Sequence, residues 1–258
     1  LPEPKEAMAH AVLKTKEEIH TMREGGKRLF YILQCLKELV VHGERSGAVL
    51  DEKAKELAKK YDGAPSFKGY KGYPANLCVS VNDEVVHGVP HDKVINEGDL
   101  LKLDFGFWYN GLCTDSAVTL PAGRCLKRDM KLIAVTEKAL YAGINKAWER
   151  NQMGDIGYAI QSYVEGEGFS VVRELVGHGV GRDIHEPPQI PNYGSKKQGI
   201  ALKKGMTLAL EPMVNSGGSK VFFEEDGWTV KTVDGGHSAH FEHTIAITEG
   251  GPIILTKE

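Results

Sequence analysis

The chain has 258 residues, 41% of them hydrophobic and 26% charged, enough for one large domain or two fused halves with a sizeable core. Its formal net charge of -3 and pI near 6.4 exclude a global basic face for nucleic acid and an acidic tail, so charge alone names no partner. The four cysteines, Cys35, Cys78, Cys113 and Cys125, form no CxxC pair, which speaks against a zinc knuckle or a disulfide framework and suits a reducing cytosol, and no apolar run approaches the roughly 20 residues of a membrane helix. A soluble, cytoplasmic protein is expected.

In chain order, the opening LPEP lacks a methionine, from which an upstream piece is expected, and residues 1–13 read as an N-terminal extension to a single catalytic domain over 14–258. Apolar residues at helical spacing (Ile19, Met22, Leu29, Ile32, Leu33, Leu36, Leu39, Val40) predict a long amphipathic helix over 14–42, stopped at Gly43. A second helix follows over 51–61, then β-rich stretches over 77–81, 100–107 and 114–120, separated by Gly, Asn and Pro. The order recurs: helices over 130–148 and from a cap at Asp155 to 166, then strands over 170–176, 207–214, 228–232 and 239–248. Such a diverged duplication predicts an α+β fold in which two halves join their strands into one curved antiparallel sheet, with helices on the outer face and a cleft on the inner one.

Within LLKLDFGFWYNGLCTDSAVTL, Asp104 and Asp115 interrupt otherwise apolar strands, where Asp is depleted. If the turn around Tyr109, Asn110 and Gly111 has two residues, either register puts both carboxylates on one face, where they repel unless a cation lies between them. The alternative is a turn Asp outside the sheet and a second Asp paired with Lys102 or a backbone donor. Other segments weigh against it. LVGHGVGRDIHEPPQ places His178 in a Gly-flanked loop that ends a strand, with His185 seven residues later, TLALEPMV sets Glu211 in a hydrophobic strand, and HFEHTIAIT does the same with Glu242. A lone buried Glu is costly, and no Arg or Lys lies close in sequence to either. Asp104, Asp115, His178, Glu211 and Glu242 make a set of four carboxylates and one imidazole, suited to two divalent ions of Mn, Fe(II), Co or Zn that would activate water for hydrolysis.

SVNDEVVHGVP, DFGFWYNGLCTD, GHGVGRDIHEPP, LEPMV, DGWTVKT and HFEHT, in this order and spacing, resemble type I methionine aminopeptidase, of the pita-bread metallopeptidase superfamily. The resemblance covers nearly everything from Lys14 onward, and the 33 positions from His178 to Glu211 leave no room for the helical insertion of type II enzymes. It implies that Asp104 chelates one ion, Asp115 and Glu242 bridge both, and His178 and Glu211 complete the coordination of the second ion, with Glu211 also shuttling the proton. It implies active-site roles for His87 and His185, and a methionine pocket formed by Tyr70, Tyr73, Cys78 and Trp228, with Phe67 and Ile184 as further wall residues. The implied substrate is a peptide or nascent-chain N-terminus with a small second residue; the implied protein is a monomer that binds neither nucleic acid nor membrane, and ribosome association is left open.

Three positions depart from the family pattern: Lys71 stands where bacterial relatives commonly have His, His240 where Gln is usual, and His237 is an additional histidine. On an alternating strand His240 would share a face with Glu242 and donate to the metal site, or it is a neutral exchange of one hydrogen-bonding side chain for another. Two other readings compete. One is a proline-directed aminopeptidase or prolidase of the same fold, and the other a metal-free pita-bread binding module.

Overall fold

The computed structural model describes residues 11–91 and 93–258, so most of the expected extension over 1–13 lies outside the described residues. The first half runs α1 (Lys16–Val41), α2 (Gly47–Lys60), β1 (Ala64–Pro65), β2 (Cys78–Val81), β3 (Glu84–Val86), β4 (Leu100–Tyr109) and β5 (Leu112–Pro121). The second half repeats the order of two helices followed by strands: α3 (Lys127–Ile144), α4 (Met153–Gly166), β6 (Ser170–Val171), β7 (Gly177–Gly179), β8 (Glu186–Ile190), β9 (Thr207–Leu210), β10 (Met213–Asn215), β11 (Val221–Phe223), β12 (Val230–Thr232), β13 (Ser238–His240), β14 (Glu242–Thr248) and β15 (Gly251–Ile254). Residues 191–206 contain no helix.

Helix α1 begins at a capping box, in which the Thr15 hydroxyl accepts from the Glu18 N–H while the Glu18 carboxylate accepts from the Thr15 N–H, so two otherwise orphaned donors are satisfied. Of the stripe predicted from sequence, Met22, Leu29, Ile32, Leu33, Leu36 and Val40 are buried, each stabilising the fold by about 1.5–3 kcal/mol, while Ile19 and Leu39 at its margin are half-buried. The buried ones from Leu29 to Val40 pack with α2 residues Leu50, Ala54 and Leu57 against Leu101, Leu103, Phe105 and Phe107 of β4. A separate core lies in the second half, where Leu132, Val135, Ala139 and Leu140 of α3 and Ile156 and Ile160 of α4 meet Leu208, Leu210, Ile245 and Ile247. Each half thus has its own helix pair and core.

One nine-stranded antiparallel sheet joins them, ordered β1-β4-β5-β14-β9-β7-β8, with β2 added to β4 and β15 to β14. The seam between halves is the pairing of β5 with β14. Two smaller sheets, β13-β10-β6 and β11-β12-β3, flank it.

Several predicted strands prove discontinuous. The stretch 170–176 is only β6, with β7 starting at Gly177; 207–214 breaks at Glu211 and Pro212, and 239–248 breaks at Phe241. Proline has no N–H to donate to a ladder, which accounts for the first of these two breaks. Glu211 therefore sits just beyond a strand rather than within one, and His240 and Glu242 belong to different sheets. Strand β12 starts at Val230, not at Trp228. Asp155 is the third helical residue of α4 rather than its cap, and its carboxylate accepts from the Gln152 N–H.

Candidate metal centre

Strand register brings four members of the cluster together. The hairpin β4–β5 turns through Asn110 and Gly111, both at positive φ (47° and 78°), which suits the two-residue turn of a tight hairpin. Its pairs include Asp104 with Ala117 and Gly106 with Asp115, so the two aspartates face the same side. Ala117 is also the partner of Glu242 across the seam, giving a row of Asp104, Ala117 and Glu242 over three adjacent strands. From the second half, Ala209 pairs with both Thr244 and His178, so His178 lies on the face that carries Glu242. Glu211, two residues beyond Ala209, is held by the Asn192 Nδ2 group, which donates to its carbonyl at 3.0 Å.

The result is compact. Ligand atoms of Asp115, His178 and Glu242 lie within 4.8 Å of one another, and His178 Nε2 is 3.5 Å from Glu211 Oε1. Asp104 and Glu211 line the same cavity. His178 Nδ1 is 2.8 Å from the carbonyl of Gly179, which leaves Nε2 aimed inward as a ligand nitrogen. Asp115 is fixed through its backbone, with the Thr244 hydroxyl accepting from its N–H at 2.9 Å and donating to its carbonyl at 2.8 Å.

Such a cluster is electrostatically incomplete. Burial, together with the charges of Asp115 and Glu211, pushes the Asp104 carboxyl well above the usual range, and burial does the same to Glu211 and Glu242. Burial raises Asp115 to about 7. Lys102, the one nearby cation considered from sequence, does not neutralise them: its Nζ donates to the carbonyls of Asn82 and Ser238. Asp104 Oδ1 and Glu242 Oε1 are buried without a hydrogen-bond partner among the described residues. Burial lowers His178 to about 4, keeping its imidazole neutral as a metal ligand must be. Four crowded carboxylates, two orphaned oxygens and a neutral imidazole fit divalent cations, which supply the missing charge and accept those lone pairs.

The remaining site residues of the sequence reading lie around this cluster. His87 and His185 both line the cavity, the His185 ring 4.1 Å from that of His178 and stacked 5.1 Å from that of Tyr70. His87 holds a φ of 58°, uncommon for a residue with a side chain; the next residue, Gly88, is pinned because its carbonyl accepts from the Tyr73 hydroxyl at 3.0 Å and the Val79 N–H at 2.9 Å. Tyr70, Tyr73, Cys78, Trp228 and Phe67 form the aromatic side of a cavity of about 270 Å³, with Tyr73 edge-on to Trp228 at 5.3 Å. Ile184 is buried in the apolar cluster behind this wall and does not line the cavity.

The cavity also holds residues that sequence reasoning did not assign. Lys71, Phe223 and Gly227 line it, with Phe223 61% exposed; an exposed aromatic in a short strand gives no signal in sequence. His240 is fully buried, with Nε2 3.9 Å from Glu211 Oε2 and neither ring nitrogen hydrogen-bonded among the described residues. His237 stands apart, 3.1 Å from Asp129.

A model of metallopeptidase family M24 matches residues 20–249. Methionine aminopeptidase 1 of Bacillus subtilis is 50% identical over 246 residues, spanning 95% of this chain and 99% of that protein. The crystal structure of methionine aminopeptidase from Thermotoga maritima superposes with a TM-score of 0.92 at 46% identity, over 96% of this chain and 100% of the other. Prolidase from Pyrococcus furiosus is further away, with a TM-score of 0.76 at 22% identity over 96% of this chain and 66% of its own length, a likeness of fold alone.

Proposed function

The chain belongs to metallopeptidase family M24, and from that premise we propose that Asp104, Asp115, His178, Glu211 and Glu242 hold two divalent cations at the floor of the cleft. The enzyme is a metal-dependent hydrolase that removes N-terminal methionine from peptides and newly made proteins. Asp104, Asp115 and Glu242 would hold them from the β4, β5 and β14 side of the cleft, and His178 and Glu211 from the β7 and β9 side. The row Asp104–Ala117–Glu242, closed by His178 and Glu211, carries this reading. Co, Mn, Fe(II) or Zn suits an oxygen-rich set with one nitrogen.

Bound cations supply Lewis acidity and ease the loss of a proton from water. The rest is done by side chains. Glu211 takes the proton of the attacking water on its carboxylate and passes it to the leaving amine nitrogen. His87 and His185 present ring N–H groups to the oxyanion and the leaving nitrogen, contributing on the order of 10²–10⁴ in rate. The methionine side chain lies among Tyr70, Tyr73, Cys78 and Trp228, where a thioether packs on aromatic edges. Substrates with a small second residue are cut best. Residues 14–258 act as a single catalytic unit, monomeric and cytoplasmic. No helix among the described residues is long and apolar enough to cross a membrane.

The test is release of methionine from Met-Ala-Ser. Glu211→Ala and His178→Ala should each lower kcat by about 10²–10⁴ with the fold retained by circular dichroism. A chelator should silence the enzyme, with Co or Mn restoring it. Cleavage of an Xaa-Pro peptide with Met-Ala-Ser untouched would transfer the chain to the proline-directed class, and undiminished turnover in either variant would remove that residue from the centre.

A further inference from the structure

The turn that carries His185 is fastened from outside the cleft by the segment leading into α1, and we propose that Lys14 and Glu186 are positioning residues for His185, an inference that rests on the role given to His185 above. Lys14 and Glu186 are 172 positions apart, yet their side chains form an ion pair with almost no exposure, 0% and 4%. The Glu186 carboxylate is fully engaged. Oε2 takes the Lys14 ammonium, while Oε1 accepts from the backbone N–H groups of Arg182, at 2.6 Å, and Asp183, at 3.1 Å. It therefore clamps the turn 182–186, in which His185 is its immediate neighbour.

Lys14 is itself anchored. Its Nζ also donates to the carbonyl of Val12 at 3.1 Å, its N–H donates to the carbonyl of Gly205 at 2.7 Å, and Leu13 bridges to Met206. Its side chain lies against Gly181, where any added β-carbon would collide with it. A second clamp reinforces the first: Arg182 donates to Glu18 of α1 from Nε at 2.7 Å and Nη2 at 3.0 Å. The segment thus ties together two stretches that deliver site residues, 178–186 with His178 and His185, and 205–211 with Glu211.

Stability does not explain the charges. A buried ion pair contributes little net stability compared with neutral side chains of similar volume, because both ions lose their hydration. What the pair does supply is a fixed geometry, with one carboxylate holding two backbone donors and one distant ammonium. The His185 ring, stacked on Tyr70 and 4.1 Å from the His178 ring, is placed by that turn.

The metal-loaded chain is assayed on Met-Ala-Ser with K14M/E186Q, H185A and the triple variant. The double replacement removes both charges together, so that no carboxylate is left buried without its partner. K14M/E186Q should keep its melting midpoint within a few degrees and lose about tenfold to 100-fold in kcat with little change in KM, the size of penalty that a misplacement of about 1 Å brings. In the H185A background the same replacement should cost less than about twofold. An equal loss in both backgrounds, or no loss in either, overturns the proposal. Full turnover by H185A alone overturns the role of His185 and the positioning role with it. Should K14M/E186Q unfold at the assay temperature, turnover is measured below its melting midpoint; failure to fold at any assay temperature would make the pair a stability element and refute the positioning role.

Discussion

Thr244→Val tests how the carboxylate floor is held. In the register of β5 against β14, Glu242 faces Ala117 and His243 faces Ser116, so Thr244 comes opposite Asp115. There the ladder opens, because β14 turns from β5 to β15 and the Thr244 N–H goes to Thr256 Oγ1. The Thr244 hydroxyl fills the gap by bonding both the N–H and the carbonyl of Asp115. Valine has the same shape and neither bond. Two buried backbone groups would lose their partners at about 1–3 kcal/mol each, and the added methyl would return about 0.8 kcal/mol, a net loss of about 1–5 kcal/mol. Near the middle of that range, the melting midpoint should fall by roughly 6–12 °C for a chain of this size. Turnover of the metal-loaded enzyme should fall as well, since the Asp115 carboxylate is aimed by this backbone. Thr244→Ser, which keeps the hydroxyl, should recover most of both. Thermal unfolding followed by circular dichroism, with Met-Ala-Ser turnover on the same preparations, decides it. A Thr244→Val protein melting with the parent, or a Thr244→Ser protein as damaged as Thr244→Val, would refute the reasoning.

Metal loading should release protons, because the metal-free carboxylates are held above their usual range. Asp115, raised to about 7 by burial, contributes to this release around neutral pH, and Asp104, Glu211 and Glu242 add to it. Calorimetry in buffers of different ionisation enthalpy should show the carboxylate share shrinking as pH rises, and loading without release at pH 6 would contradict the electrostatic account. Burial lowers Lys102 from 10.5 to about 7, so the unfolded chain binds more protons than the folded one between these values, and stability gains from this group as pH climbs through that window. The difference in unfolding free energy between the parent and Lys102→Met should therefore shift in the parent's favour from pH 7 to pH 10; a constant difference would show that Lys102 does not titrate there.

Much of the fold was written locally. The helical stripe of α1 and the Gly43 stop appear where the spacing puts them, because burying one face of a helix needs only that face to be apolar. Asn110 and Gly111 set the turn of β4–β5, and a two-residue turn with strict alternation is enough to bring Asp104 and Asp115 to one side. The ordered motifs carried the family as well. Strand breaks were less legible, since an apolar run such as TLALEPMV or SAHFEHT reads as one strand until the competing sheets are known.

The sequence by itself determined the helices, the hairpin and the inventory of donor side chains, since each depends on neighbours a few residues away. Only the tertiary structure decided that Glu242 lies across Ala117, that His178 lies across Ala209, that Lys102 turns to carbonyls instead of carboxylates, and that Lys14 reaches Glu186. These contacts span tens to well over a hundred positions, and their partners are chosen by the order of strands in the sheet and by the cost of leaving buried polar atoms unpaired, which no local pattern encodes.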